Sequence, residues 1–557
     1  MRSRFVRSAA LAAIAALAVL ASSCAVDRGR GGTLVISTAG DPDLLFPPMQ
    51  RQQQAREVTD LLFDKLAEIG SDLNTIGDAG WTPRLARGWE WSLDSMEVTF
   101  HLEPRARWHD SVPVRASDVL FAYSVYTDPA IGSSDGALMA SMIDSLTVRD
   151  SVTFTVWYGQ ARPERFYSFV YWLVPLPEHL LGSVPRDSLR TSAFTRAPVG
   201  NGPFRFVRWE PRQRVEVEAV RDYYLGAARL DRVIWTIVPD GQTAVQRMFA
   251  GEADFIGVPL SPAEVAEISN HSQIRSVRLG STQYTYLQFN MVDGPASRPH
   301  PILSNRELRR ALTMAVDREA VARNLVDSLA RVPLGPLARV QWSADSSLRQ
   351  LPFDRDEAAR ILDSLGWVAG RDGMRSRGGQ RLRIGVAFPA SSSQRQRLAT
   401  LLQEQWRAVG VNAEIERLEI SAMMSRIGTA QFDAVLMTVA PAPSPSGIRQ
   451  TWSTAAHSMS NGLNLGKYSN PAIDASIDSA VSASSIDAAR AHYRAAYQGL
   501  LDDAAAIWLL EPIVVGAVNG RVTLPMLRTD AWWTSIPGWR VSGEPPPAVS
   551  DTAPRTP

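Results

Sequence analysis

The sequence predicts an α/β protein built as two lobes with a cleft between them. Three observations lead there. A chain of 557 residues exceeds what one hydrophobic core organises, so more than one lobe follows. The second half alternates apolar patterns of period 2 and period 3.6, the reading of parallel strands joined by crossover helices. The first half is instead rich in short period-2 runs, so a β-rich subdomain is expected in it.

The chain opens on a targeting segment. Arg2, Arg4 and Arg7 make a positive end, and Ala9 to Ala21 is an apolar run of 13 residues, short of the roughly 20 that a membrane span needs. Small residues Ala21, Ser22 and Ser23 then precede Cys24, the single cysteine. This is the layout of a secretory signal. Leu20-Ala21-Ser22-Ser23-Cys24 resembles a bacterial lipobox, in which the Cys becomes the lipidated first residue of the mature chain. Ala21 departs from that box, which usually has a larger apolar residue there. Residues 25–32 read as a polar, Gly-rich tether.

Residues 33–37 are β-branched and apolar, a first strand. Residues 57–65 read as a helix, with Val58, Leu61, Leu62 and Leu66 on one side. Val98, Phe100 and Leu102 alternate, as do Val152, Phe154 and Val156, each a half-buried strand. Val215 and Val217 alternate with Glu216 and Glu218, which are expected on a solvated strand face. Residues 230–238 form a longer strand. Residues 305–325 are expected as one amphipathic helix, with Leu308, Ala311, Leu312, Ala315 and Val316 as its stripe. Strands follow at 382–388, 411–418 and 432–437, helices at 394–409, 421–429 and 487–501, with Gly410 stopping the first of these helices. The Pro-rich end, 545–557, reads as disordered.

Charge and motifs exclude several function classes. The formal net charge is +1, without the basic excess of a nucleic-acid binder. Lys occurs only at Lys65 and Lys467, and the many Arg are spread along the chain. The seven His never fall at metal-ligand spacing, so no metal or cofactor is expected. Gly132-Ser133-Ser134-Asp135-Gly136 fits G-x-S-x-G, but the preceding Thr127-Asp128-Pro129 reads as a loop, whereas a nucleophile elbow needs a strand there. An enzyme is not expected. The 16 Trp suit the walls of a ligand cleft, and equally a packed core.

A set of short segments in fixed order resembles the extracytoplasmic solute-binding proteins of ABC transporters, peptide/nickel-binding family 5. Gly31-Gly32-Thr33-Leu34-Val35-Ile36 with Asp41-Pro42 resembles the family's opening strand and loop. Its most distinctive block is matched by Pro83, Leu85-Ala86, Trp89, Trp91, Thr99-Phe100, Leu102, Trp108, Asp110, Pro113, Asp118-Val119 and Phe121. Gly200-Asn201-Gly202-Pro203-Phe204 resembles its G-T-G-P-Y turn, with Asn201 in the Thr place. Leu230-Asp231, Pro239-Asp240, Gly251-Glu252, Asn290, Arg306, Leu308-Arg309, Gly366-Trp367, Tyr468 and Asn470-Pro471 continue the pattern. The likeness runs from about residue 31 to residue 543; no single motif is specific, and the ordered set is.

The resemblance implies a two-lobed periplasmic-binding-protein type II fold with an extra β-rich subdomain inserted in lobe I. It divides the chain into a signal peptide (1–23), a lipidated tether (24–32), lobe I (33–63 and 198–284), its inserted subdomain (64–197), lobe II (285–513), a return to lobe I (514–543) and a tail (544–557). The chain is expected to cross between lobes near residues 285–290 and to return near 511–515. The implied function is capture of a peptide-like or other small polar solute and its delivery to an ABC permease, by a monomer in the cell envelope anchored through Cys24. A sensing or adhesion lipoprotein of the same fold is the alternative.

By the family's layout, the ligand meets Gln50, Arg51 and Gln53 in the loop after the first strand, and Tyr286 and Gln288 on the crossover strand. In lobe II it meets Val439, Ala440 and Ala442, where peptide binders of the family place an Asp against the ligand's α-amine. No carboxylate lies between Asp433 and Asp474, so a free-amine peptide lacks its usual partner there. Trp452, Asn461 and Asn464 are further candidates. Glu511 is read either as the missing anion or as a hinge salt bridge.

Overall fold

The computed structural model describes residues 31–160, 162–294, 298–459, 462–483 and 485–542. The signal segment, Cys24, most of the tether, Asn461 and the 544–557 tail lie outside these residues.

Two mixed sheets organise the molecule. The lobe I sheet has seven strands, in the order Ile274–Arg278, Val515–Asn519, Phe255–Ile256, Thr33–Thr38, Arg232–Ile237, Arg214–Ala219, Phe204–Glu210. Thr33–Thr38 lies at its centre, parallel to both neighbours. Its Leu34 and Ile36 are fully buried, as a strand covered on both faces requires. The helix Gln53–Leu62 packs on this sheet through Val58, Leu61 and Leu62.

What stops that helix is the Gly-Asn-Gly turn noted in the sequence. The backbone N–H groups of Asn201 and Gly202 both donate to Leu62 O, at 3.0 and 2.8 Å. Asn201 Oδ1 accepts from Asp64 N at 3.0 Å. The last helix carbonyl and the Asp64 N–H just past the cap are thereby satisfied. A Cβ at Gly200 would stand 1.9 Å from Leu62 O, so only glycine fits.

The inserted subdomain carries an antiparallel sheet of four strands, in the order Ala86–Trp91, Glu97–Leu102, Thr153–Tyr158, Ile143–Val148. Phe100 stacks on Phe154 at 5.2 Å and on Phe166 at 5.9 Å. Trp108 is buried, and its indole donates to Asp118 at 3.1 Å. The family's distinctive aromatic block is therefore core.

The lobe II sheet has six strands, in the order Ala330–Arg331, Ala506–Pro512, Tyr284–Phe289, Ala434–Val439, Arg383–Pro389, Asn412–Leu418. One face packs on the helices Arg306–Met314, Arg318–Val326 and Ser393–Arg407. The other packs on the layer formed by Gly447–Trp452, Pro471–Ser482 and Ile486–Asp502. Trp406 is fully buried in the core of the first face, its indole donating to Leu312 O at 2.9 Å. Among the described residues no helix is long and apolar enough to cross a membrane.

Two short segments pass between the lobes. Ile274–Arg278 belongs to the lobe I sheet and Tyr284–Phe289 to that of lobe II, so residues 279–283 make the crossing, ahead of the 285–290 expected. Ala506–Pro512 and Val515–Asn519 lie in different sheets, so Ile513 and Val514 make the return. Two short, adjacent crossings are what hinge closure requires.

Two local expectations are corrected. The predicted helix over 305–325 is two helices, Arg306–Met314 and Arg318–Val326. Asp317 breaks it because its side chain accepts from Ala320 N and starts a new N-terminus. Glu216 is not solvated but buried, paired with Arg208 and Arg232, each at 2.8 Å. Those arginines stand on the two strands flanking Glu216, so the sheet neighbours compensate its charge. Ser133 caps the helix Ser134–Ala140, and turns precede it rather than a strand.

Candidate functional site at the seam between the lobes

Lobe II presents the loop after Ala434–Val439 toward lobe I. Ala440 is exposed, Val439 and Ala442 are half-buried and Ser444 is buried. Gln341 braces the loop: its Nε2 donates to Ala442 O at 2.8 Å and to Ser444 O at 3.2 Å. With those carbonyls engaged, the loop's position is held from below.

The lobe I groups that meet this loop come from the inserted subdomain. Ser444 Oγ donates to Glu164 Oε2 at 2.6 Å. Thr75 Oγ1 donates to Glu164 Oε1, and Trp342 Nε1 of lobe II donates to Thr75 Oγ1 at 2.9 Å. Ile76 packs against the lobe II cluster. The same segments, 75–78 and 163–166, line a cavity of about 260 Å³ with Gly77, Asp78, Trp91, Pro163, Arg165 and Phe166.

Glu164 is buried, and burial pushes its carboxyl above the ordinary range while the three hydroxyls of Ser444, Thr75 and Ser446 pull it back. Asp60 makes the contrast. It is half-buried, and Lys65 and Arg56 overcome the cost of its desolvation and hold it below the ordinary carboxylate range. The difference is the presence of a cation. Neither Thr75 nor Glu164 stood out in the sequence. They are 89 residues apart, and no local pattern joins them.

The residues singled out in the sequence divide into two groups. Arg51 and Gln53 are exposed, and Gln50 is half-buried with its Oε1 accepting from Thr59 at 2.8 Å. Asp43 fixes this loop by accepting from Arg51 N at 2.8 Å. Ala440 is exposed like Arg51 and Gln53, and Val439 and Ala442 are half-buried like Gln50.

Four others are corrected, and Glu511 takes the second of its two readings. Tyr286 and Gln288 are buried in lobe II, not open to the cleft, because their strand face is covered by the helical layer. Tyr286 packs on Trp452 at 5.9 Å. Trp452 is itself core, 1% exposed and 5.8 Å from Trp508. Asn464 is buried as a loop clamp, donating to Ser453 O and Tyr468 O and accepting from Tyr468 N. Glu511 is the hinge salt bridge, bonded to Arg331 at 2.5 Å and to Arg339 at 2.9 Å.

Gln53 has a further role. Its amide donates to Glu57 Oε1 at 2.9 Å. Burial raises the Glu57 carboxyl to about 7, against the opposing pull of that bond. A carboxyl raised above its unfolded value favours folding when protonated. Stability from this group is therefore greatest below about 4.5 and is lost as pH rises through about 7. Glu57→Gln is expected to flatten that dependence and to gain about 3 kcal/mol at pH 8. Urea unfolding at pH 5 and at pH 8 checks this, and an unchanged pH slope refutes it.

Comparison with known proteins fits this architecture. The family profile described as bacterial extracellular solute-binding proteins, family 5 middle, matches residues 80–460. The oligopeptide-binding protein AppA of Bacillus subtilis (strain 168) is 25% identical over 505 residues, 89% of this chain and 88% of its own length. Protein XP55 of Streptomyces lividans is 27% identical over 515 residues, 90% of this chain and 89% of its own. The structure of Bacillus subtilis AppA with a nonapeptide has a TM-score of 0.76 at 22% identity, covering 92% of this chain and 99% of that one. NikZ from Campylobacter jejuni, in complex with Ni(L-His), has a TM-score of 0.76 at 22% identity, covering 91% and 99%. These likenesses establish the two-lobed type II periplasmic-binding fold, and the profile match spans more than half of the chain. The chain belongs to the bacterial extracellular solute-binding proteins, family 5.

Proposed function

We propose that this protein is a lipid-anchored, monomeric binding protein of an ABC importer. It captures a peptide-like or other small polar solute between its lobes and hands it, chemically unchanged, to a membrane permease. The observation that carries this reading is the seam: two lobes linked along the described chain by residues 279–283 and 513–514 also meet through Ser444–Glu164 and Trp342–Thr75. Contacts that join lobes across two short crossings are contacts a hinge can open and remake. Relatives of this fold hold a nonapeptide, Ni(L-His) and the peptide STSA in their structures, which supports a peptide or chelate as the solute class. Cys24 after its apolar run supports the anchor.

The test is a melting-shift screen of peptides, amino-blocked peptides, sugars and metal chelates on the purified chain. A true solute stabilises by RT ln(1 + [L]/Kd), about 2.7 kcal/mol at a hundredfold excess over Kd. A response confined to one class identifies the cargo. Indifference to all four classes argues against this function.

A further inference from the structure

Among the described residues, most buried carboxylates are answered by arginine. Asp64 has Arg84 at 3.2 Å, Asp254 has Arg521 at 2.6 Å, and Asp530 has Arg528 at 2.6 Å. Glu216 and Glu511 have two arginines each. Asp118 is answered by the N–H groups of Arg115 and Glu178 and by the Trp108 indole. Glu57 also lacks a cation, its partner being the Gln53 amide at 2.9 Å, but it lies wholly inside lobe I.

Glu164 differs from all of these in where its neutral partners come from: Thr75 from lobe I, Ser444 from lobe II. Among the described residues no Arg, Lys or His stands within ion-pair distance of it. It is only 7% exposed, so its charge is costly unless a cation joins it. It reaches the loop that carries no acidic residue of its own, two positions beyond Ala442. Asp78, the other carboxylate beside the neighbouring cavity, is occupied by the indoles of Trp89 and Trp91 at 2.6 and 3.0 Å.

We propose that Glu164 determines solute specificity: its carboxylate receives the cationic group of the solute, an ammonium such as a peptide's free α-amine, in place of the acid that loop 438–446 lacks. This rests on the reading of the seam as a solute site. The chemistry is suited to it. An ammonium has three N–H donors, and a charge-assisted bond to a carboxylate is the strongest one it makes. The hydroxyls of Thr75, Ser444 and Ser446 donate when the carboxylate stands alone, and can rotate to accept when an ammonium arrives.

The experiment offers the purified full chain an equimolar mixture of two random tetrapeptide libraries, one with free and one with acetylated amino termini. Captured peptides are counted by mass spectrometry. The wild type is expected to favour free amines by roughly tenfold or more. Glu164→Gln should lose that preference while still retaining acetylated peptides, and Glu164→Asp, which keeps the charge, should regain part of it. Equal loss of both libraries in Glu164→Gln marks a merely structural latch and overturns the assignment. So does a wild type that favours acetylated peptides or has no preference. Capture of neither library by the wild type also defeats it, and a melting shift with sugars or chelates then places the error in the ammonium and not in solute capture.

Discussion

Replacing Arg331 and Arg339 together by alanine is expected to cost about 3–5 kcal/mol of unfolding free energy. Glu511 stands on the last lobe II strand, just before the return crossing, and its side chain is 4% exposed. Arg331 Nη2 and Arg339 Nε each bond one of its oxygens. The arginines are far more open, at 49% and 28%. The two halves of this cluster are therefore unequal. Removing the acid leaves guanidinium groups that water can rehydrate, so Glu511→Gln is expected to cost only about 1 kcal/mol. Removing both arginines leaves a buried carboxylate with no counter-charge. Urea unfolding of the two proteins separates these cases. A double variant as stable as the single one would mean that the acid is not held at the hinge by this pair.

Trp452→Ala is expected to lose about 3–5 kcal/mol of stability. The ring sits among Tyr286, Tyr468 and Trp508, at centroid distances of 5.9, 6.5 and 5.8 Å. Alanine leaves a cavity between the sheet and its helical layer that these large rings cannot fill. Trp452→Phe retains most of the apolar volume and is expected to lose less than half as much. A ring stacked on a solute would behave in the opposite way, costing affinity and sparing stability. Denaturant unfolding set beside solute titration of the same variant tells the two roles apart.

The same residue marks how far the sequence could be read. A Trp in the sequence is consistent with a cleft wall or a core, and periodicity does not say which face a later helical layer will cover. Tyr286 and Gln288 were correctly paired on one face of a strand, but Gly447–Trp452 and its neighbours close over that face. Glu216 looked solvated because strand alternation records only two faces; the arginines that bury it arrive from strands on either side. Asp317 carried its N-cap signal openly, and the long apolar stripe through residues 305–325 masked it.

What the sequence determined by itself is whatever local chemistry decides. The alternation of strands and helices and the Cys placed after an apolar run are set by residues adjacent in the chain, whereas the demand for glycine at Gly200 comes from the distant Leu62 carbonyl. Family membership belongs here too, because it needs only ordered short motifs. The seam was decided by tertiary structure alone. Thr75, Glu164, Trp342 and Ser444 come from four distant segments, and what makes Glu164 distinctive is a counter-charge that its folded surroundings do not supply. Burial and ion pairing are properties of a neighbourhood, and a neighbourhood exists only once the chain has folded.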